Sequence, residues 1–271
     1  MRITGLLTAL TLIFLTGFSS CDIINPAEEI PSYINIDTFL ISVDDFEQGS
    51  AGHMMTDVWI SVGGANLGVF VMPFTIPSLE VGMQTLTIRP GIKVNGISAS
   101  RKAYPFYKPV IIDMELIPGE IHTITPKSTY KPECKFPFIE DFEDPGISFL
   151  YPAYSDTIIE VQRDHVREGR ASGAIFLTKE DSTFEAYFNK DLTLPEDASP
   201  VFLEFDYKTN SEFQVGMYLI KSGVFEWYGL VGVNPSETWK RMYVDLGTTA
   251  TYQYETEQYR IAFGAIYDQE D

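Results

Sequence analysis

In Val201-Phe-Leu-Glu-Phe-Asp-Tyr-Lys208 apolar and polar residues alternate from Leu203 onward. In an extended chain Val201, Leu203, Phe205 and Tyr207 project one way and Phe202, Glu204, Asp206 and Lys208 the other. The same period returns at Thr238-Trp-Lys-Arg-Met-Tyr-Val-Asp-Leu246, where Met242, Val244 and Leu246 read as core. Upstream it recurs in Tyr33–Phe39, Val58–Val62, Gln84–Ile88 and Val110–Leu116. Turn residues lie between these runs: Gly63-Gly64, Glu80-Val-Gly82, Pro90-Gly91, Asn95-Gly96 and Pro118-Gly119. Strands about every ten residues with such punctuation predict an all-β chain folded as antiparallel sandwiches.

Composition agrees. The 271 residues include 15 Tyr, 19 Phe, 20 Gly and 16 Pro, and no long helical pattern appears. The length suffices for two domains in tandem, each with its own core. Net charge is −19 and uneven: 13 acids stand against 7 bases from Asp22 to Cys134, and 25 against 11 from Lys135 onward. So acidic a surface disfavours nucleic acid and anionic headgroups as partners, because phosphate binding needs basic groups. It fits solubility outside the cell and is compatible with divalent cations.

At the N-terminus, Met1-Arg2 is followed by an uncharged apolar run from Ile3 to Phe18 and then by Phe18-Ser19-Ser20-Cys21. The run is short for a transmembrane span and reads as a signal peptide over residues 1–20. Its end resembles the lipobox of bacterial lipoproteins: a bulky apolar residue, two small ones and a cysteine. That resemblance implies lipid attachment at Cys21 and a membrane partner through the anchor, at ~0.8 kcal/mol per buried CH₂ of acyl chain. An ordinary secretory signal cleaved near Ser20, or a buried apolar helix, is the alternative. Residues 21–31, polar and broken by Pro26 and Pro31, suit an extended leash. Asp22, Glu28 and Glu29 resemble the acidic stretch after the cysteine in surface-exported lipoproteins of the Bacteroidetes. The expected place is the cell envelope: lipid-anchored at the outer membrane, on its periplasmic or surface face.

The first domain is expected over residues 32–132. Val58–Gly68, Met72-Pro73, Leu79, Val81-Gly82 and Thr85–Ile88 resemble a PEGA-type module over about 35 residues, which implies a small Ig-like sandwich with no catalysis; the Val69–Ser78 link is longer than that pattern has it. Ser100–Pro109 gathers Arg101, Lys102 and Lys108 around Tyr104, Phe106 and Tyr107. Aromatics give contact area at low entropy cost, so Arg101, Tyr104, Phe106 and Tyr107 are candidates for a loop that binds a partner protein or glycan. The bland alternative is a crossover whose aromatics cap the sandwich.

The second domain is expected over residues 136–271. Phe138–Gly146, Val166–Leu177, Val201–Lys208, Phe213–Leu219 and Thr238–Leu246, read in order, resemble jelly-roll domains of the carbohydrate-binding-module and concanavalin A-like type. Such domains close with a strand after the Tyr259–Phe263 segment. None precedes Asp271, so the expectation is a jelly roll whose last strand is missing from this sequence or whose fold ends early. The resemblance implies sugar binding on aromatic platforms, for which Tyr218, Trp227 and Tyr228 are candidates, Trp239 being taken as core. It also allows a structural calcium held by Glu140, Asp141, Glu143 and Asp144, since Ca²⁺ takes six to eight oxygens. No other cofactor is implied. Cys134, the one cysteine besides Cys21, has no pairing partner and reads as structural.

No catalytic pattern stands out. His53, His122 and His165 are scattered, and there is no HExxH, G-x-S-x-G or P-loop. Glu204 and Asp206 share a face, but any alternating strand produces such pairs. The expectation is therefore no enzyme, but a lipoprotein that binds a ligand, glycan first, through its jelly roll. The alternative is a structural or accessory subunit of an envelope assembly.

Overall fold

The structure is a computed structural model and describes residues 28–43 and 48–268. Cys21, the signal peptide and most of the leash lie outside these residues.

The chain is all-β, in two sandwiches. The first comprises β1 (Ser32–Ile36), β2 (Leu40–Ser42), β3 (Asp57–Val62), β4 (Ala65–Val71), β5 (Phe74–Ser78), β6 (Gly82–Lys93), β7 (Arg101–Ala103), β8 (Val110–Leu116), β9 (Ile121–Thr123) and β10 (Lys127–Thr129). One layer is β5-β1-β9; the other is β4-β3-β6-β7, with β8 also on β6. Alternation sets which residues meet between them: Ile34 and Ile36 of β1 pack in one cluster with Val58, Ile60 and Val62 of β3 and Leu86 and Ile88 of β6. The β3–β4 turn is made by Gly63 and Gly64, both with positive φ (57° and 86°), a conformation in which glycine escapes the steric cost of a Cβ.

The second sandwich comprises β11 (Phe149–Leu150), β12 (Glu160–Gln162), β13 (Ser172–Ala174), β14 (Thr183–Phe188), β15 (Phe202–Thr209), β16 (Phe213–Lys221), β17 (Val224–Val233), β18 (Ser236–Asp245) and β19 (Gln258–Ile266), with a short helix α1 (Gly247–Thr251). Its main layer runs β11-β14-β19-β16-β17 and is antiparallel throughout. The facing layer is the pair β15-β18. Phe184, Ala186, Val215, Met217, Leu219, Tyr259 and Ile261 from the first layer meet Met242, Val244 and Leu246 from the second, as the alternation predicts. A cleft of about 3080 Å³, bordered by Phe138, Phe205, Tyr207 and Trp239, reaches between the layers.

The outer face of β15-β18 is covered by the first sandwich. Phe202, Glu204 and Asp206 lie there, with Tyr243 and Arg241 among their register partners on β18. Tyr104 meets Tyr243 and Phe202 edge-on, with centroids 5.2 and 5.5 Å apart. Tyr104 donates its hydroxyl to Glu204, and Tyr130 donates to the same carboxylate at 3.0 Å. Arg241 forks onto Asp206 at 2.9 and 2.7 Å and reaches Ser50 Oγ at 3.1 Å, while Arg167 also pairs with Asp206. The Asn95-Gly96 turn docks by backbone: Asn95 N donates to Tyr243 O at 2.8 Å, and Asp245 N donates to Asn95 Oδ1 at 2.9 Å.

These contacts redefine the 100–109 loop. Instead of offering an open aromatic surface to an outside partner, Tyr104 and Tyr107 are each only 3% exposed, and Phe106 packs half-buried beside them. Arg101 pairs with the buried Asp57. The partner of this loop is the second sandwich of the same chain, because its large rings remove more apolar area from water there than a free loop could.

Burial raises the pKa of Glu204 above its ordinary value, and the Tyr104, Arg241 and Tyr130 contacts that favour its charged form offset this only in part. A raised carboxylate binds its proton more tightly in the folded state, so this group contributes most below its unfolded pKa, and that contribution is lost as pH rises through the folded value. Thermal midpoints are therefore expected to fall as pH climbs from the ordinary carboxylate range to neutrality. General repulsion among the acids acts the same way, so the test is the comparison with Glu204→Gln. A slope unchanged by that substitution would remove Glu204 as the cause.

Candidate functional site

The outer face of the five-stranded layer gathers aromatic side chains with an acid and a base among them. Alternation assigns to it Thr183, Glu185 and Tyr187 from β14, and Gln258, Arg260, Ala262, Gly264 and Ile266 from β19. It adds Gln214, Gly216, Tyr218 and Ile220 from β16, and Phe225, Trp227, Gly229 and Gly232 from β17. Cross-strand register sets Tyr218 between Arg260 on one side and Trp227 on the other.

The glycines decide how Trp227 lies. A Cβ built at Gly216 would fall 2.6 Å from Trp227 Cζ2, one at Gly264 3.8 Å from Cη2, and one at Gly229 3.8 Å from Nε1. Gly229, Gly216 and Gly264 belong to three successive strands, so the indole is laid across β17, β16 and β19 rather than standing on its own. Glycine weakens a strand interior and often marks a close approach of another group; here that group is a ring. Tyr218 meets Trp227 edge-on, at 5.7 Å and 81°.

Polar groups gather beside the ring. Glu185 accepts hydrogen bonds from Tyr218 and from Tyr154, the latter at 2.8 Å, and the two phenols lie 3.1 Å apart. Burial first, and then the Glu185 contact, pushes the Tyr218 hydroxyl well above its ordinary pKa, so it stays a neutral donor. Arg260 pairs with Asp191, and its guanidinium lies 5.6 Å from the Tyr187 ring and 5.1 Å from the Phe225 ring, which holds it between aromatics. Tyr154 and Phe225 remain 59% and 46% exposed. The face thus offers apolar ring surface edged by a carboxylate and a guanidinium–carboxylate pair.

Of the three platform candidates, the structure brings two together. Tyr218 and Trp227 share this face, but Tyr218, 8% exposed and edge-on to the indole at 81°, supports the ring and is not itself a stacking platform; Trp227 lies half-buried across it. Tyr228 pairs in register with Met217, on the opposite side of the sheet. The sequence did not single out Tyr154, Glu185, Tyr187, Asp191 or Arg260. The signal that could have found the site was the set of strand-interior glycines at 216, 229 and 264.

The acidic candidates do not converge. Glu140 accepts from the Phe142 and Ser148 amides at 2.9 and 2.8 Å, Asp141 from the Glu143 amide at 3.0 Å, and Glu143 binds Arg170 and the Ala171 amide. Among the described residues no three acidic, His or Cys groups are placed to hold one metal ion. A calcium needing six to eight oxygens does not fit Glu140, Asp141, Glu143 and Asp144 as they stand. Cys134 is half-buried at the junction, its thiol 3.5 Å from Phe106 O and its pKa raised by burial.

No family model matches this chain, and no curated protein matches it. Among solved structures it is similar to one from a study of the "promiscuous specificity of the carbohydrate-binding modules from the beta-sandwich super family". That likeness has 9% identity and a TM-score of 0.34, over 91% of this chain and 95% of that one. It is also similar to Bacteroides uniformis beta-glucuronidase 2, with 10% identity and a TM-score of 0.21, over 90% of this chain but only 29% of the glucuronidase. At such scores neither likeness bears on what this chain does. The geometry of the face itself is the ground for a functional reading.

Proposed function

We propose that this chain is a lipid-anchored protein of the cell envelope that binds glycan, without catalysis, on the outer face of its second sandwich. The observation that carries the reading is the Trp227 indole laid over Gly216, Gly229 and Gly264 beside Tyr218, whose hydroxyl donates to Glu185. A flat ring suits the C–H face of a pyranose, and carboxylate and guanidinium groups at its edge suit hydroxyls, which both donate and accept. The accessory-subunit alternative keeps only one of its two routes, an exposed sheet edge, because the 100–109 loop is turned inward against Glu204.

A glycan array probed with the full chain tests the binding. Reproducible retention of at least one glycan class is expected; an empty array at high protein concentration would end the proposal. The anchor rests on Phe18-Ser-Ser-Cys21 and the apolar run before it. Cells fed a labelled fatty acid should mark the wild-type chain and leave Cys21→Ser unmarked. Label retained by Cys21→Ser would refute attachment at that residue.

A further inference from the structure

We infer that the outer face selects electrically neutral glycans and rejects those carrying uronate, sulfate or sialate groups. This rests on the glycan reading of the same face.

Across the outer-face positions of β14, β16, β17 and β19 the strands place one cation, Arg260, and one strand-borne anion, Glu185, among the described residues. The cation is already engaged: its Nε donates to Asp191, and its guanidinium is held between Tyr187 and Phe225. An anionic sugar would have to displace Asp191 and separate an ion pair whose members keep only 18% and 33% of their side-chain surface. Glu185 is met by two phenol hydroxyls, neither of which cancels its charge. The remaining polar side chains at these positions, Thr183, Gln214 and Gln258, are uncharged. Local charge at the face is therefore negative, within a chain of net charge −19.

A carboxylate or sulfate brought beside Glu185 meets a like charge next to apolar rings, where screening is weaker than in bulk water. A hydroxyl brought to the same place donates to the carboxylate and gains a charge-assisted hydrogen bond. One surface thus rewards neutral sugars and penalises acidic ones.

The test compares matched polymers: hydroxyethylcellulose against carboxymethylcellulose, and β-1,4-galactan against polygalacturonate. Binding of the full chain in detergent is measured at low salt and at about 0.5 M salt, where exposed charges are largely screened. The expected result is at least tenfold tighter binding to a neutral member than to its acidic counterpart, surviving high salt and indifferent to a calcium chelator. Glu185→Gln should narrow the gap several-fold; an unchanged gap would overturn the role given to that carboxylate. Equal or tighter binding of an acidic member would overturn the inference while leaving glycan binding intact. Failure of every polymer here, together with an empty array, would overturn the glycan reading itself.

Discussion

Arg241→Ala is expected to destabilise the protein by about 3 kcal/mol, the scale seen when one partner is removed from a buried ion pair. For a chain of this size that lowers the thermal midpoint by about 6–12 °C. Arg241 keeps 9% of its side-chain surface and satisfies three groups at once. It forks onto Asp206, lies 3.9 Å from Glu204 and donates to Ser50 across the junction. Alanine leaves Asp206 with Arg167 alone and leaves Glu204 facing Asp206 with only phenols for company. Arg241→Lys keeps the charge but loses the planar fork, so an intermediate loss is expected. Calorimetry decides: a drop under about 2 °C for the alanine variant would show that the cluster is not what holds the sandwiches together.

The second large effect is on binding. Trp227→Ala removes the ring that covers three strands, and truncating a central aromatic anchor typically costs at least about 2 kcal/mol, or roughly 30-fold in affinity. Stability should change far less, because the ring lies on the outside of the sheet and the inner core of Val215, Met217 and Leu219 is untouched. Gly216→Ala supplies an independent route to the same loss. Its Cβ would sit 2.6 Å from Cζ2 and 2.8 Å from the Tyr228 carbonyl, so the indole must lift and the β17 backbone must also shift, at some cost in stability. Glycan affinity measured beside a melting curve separates the cases. Wild-type affinity in Trp227→Ala would remove this face as the site, and a collapsed melting curve would assign the ring to folding instead.

Much of the architecture was legible in the sequence because alternation is a local property. Val201–Lys208 sorts its own residues into two faces, and Met242, Val244 and Leu246 fall inward as that pattern requires. The turn at Gly63-Gly64 was equally readable, since positive φ selects glycine. The Ser100–Pro109 loop shows where such reading stops. Its aromatic and basic content is the same whether it meets a foreign protein or the rest of its own chain, and only the docked position of β15-β18 decides between them. Glu204 and Asp206 likewise look like any alternating pair until the first sandwich closes over them.

The sequence by itself determined the strands around Val58, Gln84, Val110, Val201 and Thr238 with their division into two faces, the acidic charge, and Trp227 as a candidate. Tertiary structure alone decided which faces meet. The order β14-β19-β16-β17 brings Glu185, Arg260, Tyr218 and Trp227 onto one surface although up to 75 residues separate them. Strand order follows from how sheets close around a core, a long-range balance of burial and loop entropy that no local period encodes. The three glycines under the indole acquire their meaning only then, when three strands from distant parts of the chain lie side by side.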